Sequence, residues 1–304
     1  MSPKKLTAHG LTWYFLENPE EAEVLALQKK FKFHDLDIED CLSGNERPKL
    51  EEHEDYLFCV VHLPVKIGSR IVKEDINIFL GKDYIITFCE GKSSTPEALW
   101  KQLKTNAPKR EEYMNQGAAF FLYKILDLLF DQGFPLIEWL MKDLRRIEVA
   151  LFEHEDRQIR MLRDILTLKH NIITMRSMLF PQRSVIAQLQ HRNRSLISTD
   201  LTLYFDDVSD AIERQWSLLD TAKEMSDVLQ DTHESWLTHR TNEIIRLLTI
   251  FSVTMVPLTF IASLYGMNVD LPFQANPLAF SFIGGVMVSI LVVLLGYFGW
   301  KKWL

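Results

Sequence analysis

The chain has 304 residues and a net charge of −7, from 34 Lys and Arg against 41 Asp and Glu. That length is enough for about two domains, and the acidic balance speaks against a nucleic-acid partner, which would require a basic face. Its three cysteines, Cys41, Cys59 and Cys89, show neither CxxC nor Cys/His zinc-site spacing and read as reduced thiols in a cytosolic body. The opening "MSPKKLTAHGLTWYF" has no apolar signal-peptide run, so membrane insertion is expected to come from the C-terminal end.

In chain order, "LTWYFL", "YLFCVVHLPV", "RIVKEDINIFL" and "DYIITFCE" are β-branched and aromatic runs bounded by Gly, Pro, Asn or Asp, and they predict strands. The last two meet at Leu80-Gly-Lys-Asp83, a hairpin signal. Helical patterns at roughly 20–30 and 34–42 lie between the first two strands. Residues 1–92 therefore read as a mixed α/β domain.

Residues 93–198 read as a helical region, with apolar residues at helical spacing from about Glu111 to Gln190. Gly133-Phe134-Pro135 is a candidate kink and Phe180-Pro181 a candidate break. From Thr199 to Tyr265 there is one proline, Pro257, and no glycine. A continuous helix there would be about 100 Å long. Residues 199–243 are predicted as a stalk running into a membrane helix at 244–265. A loop at 266–277, a second membrane helix at 278–300 and a basic tail at 301–304 complete the chain.

The two apolar runs are about 22 and 23 residues long, against roughly 20 needed to cross the hydrocarbon. Tyr265, Phe273, Tyr297, Trp300 and Trp303 flank them as interfacial aromatics. The loop has no Lys or Arg, whereas Arg240, Arg246, Lys301 and Lys302 lie at the opposite ends. That bias predicts both termini in the cytoplasm and the loop outside.

Steps of four and three from Asp231 reach Ser235, Thr238, Asn242, Ile245, Thr249, Ser252, Val256, Thr259 and Ser263. Within the first apolar run, four of the five Ser and Thr residues lie on this stripe, and Thr254 is the exception. Pore lining and helix packing explain the stripe equally well. Its continuation to Asn242 and Asp231 tips the balance toward a pore, because a carboxylate ring is costly without water or a cation. Two spans per chain cannot enclose an aqueous path, so a pore requires a cyclic oligomer.

The first apolar run ends in "YGMN", Tyr265–Asn268, and the chain ends in "KKWL". With "FHDLDIEDCLSGNERPKLEEHEDYLF" at Phe33–Phe58 and "YFDDVSD" at Tyr204–Asp210, the chain resembles the CorA family of magnesium and cobalt channels. The resemblance implies an α+β membrane protein, a homopentameric funnel in which the long stalk helix continues into the first of two transmembrane helices. It implies that Gly266, Met267 and Asn268 form the outer pore mouth, with Asn268 as the first ion-binding ring. By position, Asp231, Asn242 and Thr259 match pore-facing residues, and Ile245, Leu248 and Val256 match the apolar constriction. Glu39, Asp40 and Asp207 match a cytoplasmic sensor that holds Mg²⁺ between neighbouring subunits and favours the closed state.

The implied cargo is Mg²⁺, with Co²⁺, Ni²⁺ or Zn²⁺ as alternatives. The intact Met267 favours the magnesium/cobalt branch over the zinc branch. The loop departs from the family's "MPEL" pattern: it reads "VDLPFQANP", with Asp270 as its only acid. Taken alone, Asn268 reads as a helix cap, and Glu39, Asp40, Asp206, Asp207 and Asp210 as solvated faces. His53-Glu54-Asp55 and His154-Glu155-Asp156 are local acidic clusters without HExxH spacing: metal ligation is one reading, and exposed polar helix faces are the favoured one. The chain has no P-loop, nucleophile elbow or dinucleotide fingerprint, so an enzyme is not expected. A membrane-tethered sensor or scaffold without a pore is the reading from a different class.

Overall fold

The structure is a computed structural model that describes residues 3–44, 46–89, 94–153, 158–191, 196–268 and 278–303. The chain divides into two compact units, Met1–Gln230 and Asp231–Leu304.

The first unit is built on a six-stranded sheet of β1 (Lys4–Ala8), β2 (Leu11–Glu17), β3 (Lys49–Glu52), β4 (Tyr56–Ile67), β5 (Arg70–Gly81) and β6 (Tyr84–Cys89). Their order is β1-β2-β6-β5-β4-β3. β2 and β6 pair in parallel, and every other pair is antiparallel. The four predicted strands are the four inner ones, and the hairpin at Leu80–Asp83 joins β5 to β6. β1 and β3, unpredicted, are the edges. Their sequences, "KKLTA" and "KLEE", carry the charge that discourages edge-to-edge pairing and hides the strand signal.

The inner strands read as continuous apolar runs because both sheet faces are covered. Trp13, Phe15, Leu57, Cys59, Ile78 and Ile85 face one core, and Tyr14, Leu16, Phe58, Val60, Phe79 and Ile86 face the other. Helices α1 (Glu21–Phe31) and α2 (Asp35–Ser43) close the second face through Val24, Leu27, Ile38 and Cys41. The first face is covered by α3 (Ser94–Thr105), α4 (Ala107–Met114), α5 (Ala118–Asp131), α6 (Gly133–Glu153), α7 (Gln158–His191) and the start of α8 (Thr202–Tyr265).

The candidate kink at Gly133 is the boundary between α5 and α6. Gln215 of α8 donates from Nε2 to the Phe130 carbonyl at 2.6 Å. A Cβ at Gly133 would stand 2.1 Å from Gln215 Oε1, so close approach requires glycine here. The candidate break at Phe180-Pro181 is not a break: α7 runs through Pro181. Gln182 Nε2 donates to the Met178 carbonyl at 3.0 Å, next to the Ser177 carbonyl that the proline leaves without its helical donor.

Two buried amides fasten α7 to the sheet. Gln182 accepts from His62 N and donates to His62 O, while Asn171 accepts from Ile71 N and donates to Ser69 O. Along α7 and α8, Lys169–Asp227, Arg176–Asp220, Arg183–Glu213 and Gln190–Asp206 form rungs seven residues apart on each helix. This is an antiparallel register with heptad spacing.

In the second unit, α8 continues without interruption through Pro257 to Tyr265, and α9 covers Ala279–Trp300. Both helices are long and apolar enough to cross a membrane. In their apolar segments, the only buried side chains among the described residues are Ile250, Thr254 and Phe298.

Candidate functional site: a hydroxyl stripe, a Gly-Met-Asn turn and an acidic body

The helical repeat of 3.6 residues fixes which α8 side chains share a face. Asn242, Ile245, Leu248, Thr249, Ser252, Val256 and Thr259 fall on one side, and Ile250 and Thr254 on the other. Thr249 is half-buried and the rest of that stripe is exposed, as is Asp231 lower on the helix. Thr249 Oγ1 donates to the Ile245 carbonyl at 2.8 Å, which satisfies its donor and leaves oxygen lone pairs directed outward.

The helix ends on the motif itself. Gly266 N donates to both Ala262 O (3.0 Å) and Ser263 O (3.2 Å), and Met267 N donates to Leu264 O at 3.3 Å. These tightened bonds close the last turn without a left-handed glycine, because Gly266 is not among the positive-φ residues. An added Cβ at Gly266 would lie 3.2 Å from the Ala262 carbonyl oxygen. Met267 and Asn268 are exposed beyond that turn. Phe273, Asp270 and the rest of the "VDLPFQANP" loop lie outside the described residues.

Glu39 and Asp40 lie on α2, against the second sheet face, and Asp207 lies on α8, whose Phe205 and Val208 belong to the core on the first face. One chain does not bring the three together. Glu39 and Asp207 are exposed, and Asp40 is half-buried. The Asp40 carboxylate already accepts from Lys49 Nζ at 2.5 Å, and Lys49 also reaches Glu51 at 2.7 Å. Burial disfavours the Lys49 charge, but these two partners prevail and hold its ammonium above the usual range. Burial, then the nearby charges of Asp131 and Asp207, raises the Asp127 carboxyl. The start of α8 and its neighbour α5 thus gather Asp127, Asp131 and Asp207, with Lys124 of α5 partly offsetting their charge.

Sequence reasoning singled out His53 with Glu54 and Asp55 and favoured an exposed helix face; His53 instead lies half-buried between β3 and β4, grouped with Asp37 and Glu51. Asp37 occupies the buried face of α2 with Ile38 and Cys41, where its carboxylate accepts from the Tyr56 hydroxyl at 2.6 Å. His53 Nε2 lies 3.0 Å from Asp37 Oδ2, and Glu51 completes the group. Burial raises the Asp37 carboxyl, against the Tyr56 hydrogen bond and the His53 charge, while the Lys49 hydrogen bond lowers that of Glu51. The available signal was a carboxylate at i, i+4 with Cys41 on the apolar side of a short helix. His154-Glu155-Asp156 lies outside the described residues.

These features define a class: a chain with a mixed α/β body and a very long helix whose end is the first of two candidate membrane-crossing helices. The model of a family described as CorA-like Mg²⁺ transporter protein matches residues 8–302, and the chain belongs to that family, whose members are not enzymes. The cobalt/magnesium transport protein CorA of Thermotoga maritima is 28% identical over 297 residues, covering 96% of this chain and 83% of that one. The complete structure of the CorA magnesium transporter from Methanocaldococcus jannaschii superposes with a TM-score of 0.87 at 21% identity, covering 100% of this chain and 95% of that one. The ZntB cytoplasmic domain from Vibrio parahaemolyticus gives a TM-score of 0.56 at 13% identity, covering 75% and 88%. At such identities the two structural likenesses concern the fold.

Proposed function

We propose that the chain forms a homopentameric channel in the cell membrane, with both termini in the cytoplasm, and admits Mg²⁺, with Co²⁺ and Ni²⁺ as further cargo. The carrying observation is the exposed hydroxyl stripe of α8, on the helix face opposite Ile250 and Thr254. Copies of that face around an axis would line a wet path, with Ile245, Leu248 and Val256 as its narrow apolar section. The outer apolar faces, including Phe280, Phe282 and Val292 of α9, suit lipid.

At the outer mouth, a ring of Asn268 amides would hydrogen-bond the waters of an incoming ion. Mg²⁺ dehydrates reluctantly, so neutral oxygens that accept its hydration shell admit it without trapping it as carboxylates would. On the cytoplasmic side, Glu39 and Asp40 of one subunit and Asp207 of the next would hold Mg²⁺ and favour closure. Their placement on opposite sheet faces supports a site between subunits over one within a subunit.

Purified chain in liposomes loaded with a Mg²⁺-sensitive dye tests the reading. Influx down an imposed gradient that is lost in Asn268→Ala supports it. Equal signals with and without protein contradict it and leave the tether. The same assay with Zn²⁺, with and without a proton gradient, separates this channel from a zinc transporter of the same fold.

A further inference from the structure

Asp37, Glu51 and His53 come from three successive pieces of the first unit: the buried face of α2, the edge strand β3, and the turn between β3 and β4. Each offers one ligand atom, and the three atoms lie within 4.8 Å of one another. They belong neither to the α8 stripe nor to the Glu39, Asp40 and Asp207 set.

The surroundings are built around the Asp37 carboxylate. Tyr56 Oη accepts from His34 N at 2.8 Å, so its own proton is directed to Asp37 Oδ2. The His53 ring stacks on the Tyr56 ring at 4.4 Å and 15°, and His53 N donates to Tyr56 O. Asp37 is fully buried, its Oδ1 receives no N–H or hydroxyl donor among the described residues, and its close neighbour is the second carboxyl group, that of Glu51. A buried carboxylate oxygen without a donor calls for a cation or a proton. Glu51 has Lys49 on Oε1, and the His53 side chain is 26% exposed, which gives the group an open side.

We propose that Asp37, Glu51 and His53 form a site within each subunit for a late first-row divalent cation of the Zn²⁺, Co²⁺ or Ni²⁺ class. One imidazole nitrogen with two carboxylates suits those ions, whereas Mg²⁺ prefers an all-oxygen, water-rich octahedron. Three protein ligands leave a position for water. Tyr56 acts from outside the ligand set by holding the Asp37 carboxylate in place. A cation here would tie α2 to the β3–β4 turn, and α2 also carries Glu39 and Asp40.

The test uses the full-length chain in detergent, stripped with chelator and then dialysed against Co²⁺ or Zn²⁺ in excess Mg²⁺. Bound metal is counted by mass spectrometry, and Co²⁺ coordination is read from its visible absorption. Wild type and Asn268→Ala are expected to retain one Co²⁺ per chain with nitrogen–oxygen ligand-field bands. His53→Gln and Glu51→Gln are expected to lose it, and Tyr56→Phe to weaken it about 10- to 100-fold. Melting in chelator checks that each variant folds, and Zn²⁺ is expected to raise the melting temperature of wild type but not of His53→Gln. Retention of Co²⁺ by His53→Gln and Glu51→Gln at the wild-type level would overturn the site. So would a wild-type chain that keeps no Co²⁺ and whose melting Zn²⁺ leaves unchanged, and the trio would then be a plain His53–Asp37 ion pair. Neither result depends on whether the chain conducts.

Discussion

Ser252 and Thr254 lie two residues apart on α8 and face opposite ways: Ser252 is exposed, while Thr254 is 6% exposed and donates from Oγ1 to the Ile250 carbonyl. A step of two residues turns a helix by about 200°. The one hydroxyl that departs from the heptad stripe is therefore the one shielded within the subunit. Thr254 satisfies its donor on its own backbone, as a hydroxyl in an apolar environment must. The stripe residues are left for water or for another copy of the chain.

Gly133 is constrained by the approach of Gln215, not by backbone conformation. Gly133→Ala is expected to destabilise the full-length chain by about 1–3 kcal/mol, because the methyl group must displace a buried amide that caps the end of α5. Thermal melting checks this. The double variant with Gln215→Ala should lose less than the two single losses combined, since both act on one contact.

Gln182 holds α7 on β4 by pairing both polar groups of the His62 backbone. Gln182→Ala leaves them without partners and is expected to cost about 1–3 kcal/mol for each group left unpaired. Hydrogen exchange should quicken at the His62 amide first, and unchanged protection there would show that the amide pair is not what seats the helix.

The rungs between α7 and α8 are partly exposed, so each contributes little. Arg183→Glu should lower stability by about 0.5 kcal/mol, and adding Glu213→Arg should restore it, with both effects fading in high salt. At the last rung, the Lys169 hydrogen bond lowers the Asp227 carboxyl below its usual value of 3.8. Because the folded value is the depressed one, the contribution is present above about pH 4 and is lost as pH falls through the folded value. Asp227→Asn should remove that small acid-dependent loss, as read by melting curves between neutral and strongly acidic pH.

Asp207 is exposed at the start of α8 and adds to the charge that raises Asp127. In the proposed channel, Asp207→Asn is expected to leave influx less inhibited by internal Mg²⁺. The measurement is a dose curve of internal Mg²⁺ in the liposome assay, and an unchanged midpoint would remove Asp207 from the sensor.

What could be read from the sequence followed how one-sided each signal was. The strands of the sheet interior were legible because burial on both faces made them uniformly apolar, as in "YLFCVVHL". β1 and β3 were hidden because edge strands carry lysine and glutamate. Pro181 suggested a break because a local rule cannot see the core packing of Met178, Leu179, Val185 and Ile186, which holds α7 on either side of the proline. The stripe was legible because it depends on helical spacing alone, whereas Gly-Met-Asn stood out only through the family resemblance, since by itself it reads as a helix end. Asp37, Glu51 and His53 were not, because only the α2–β3 packing brings them together, and a lone carboxylate on a short helix reads as solvated.

The face of α8 that meets water tests the central claim most directly. Cys41, Cys59 and Cys89 are buried, so the background for a charged thiol reagent is low. In liposomes carrying the Mg²⁺ dye, Ser252→Cys and Thr259→Cys are expected to react with the reagent and lose influx, while Thr254→Cys conducts and stays unmodified. Modification and block at Thr254→Cys, with Ser252→Cys and Thr259→Cys inert, would contradict the channel.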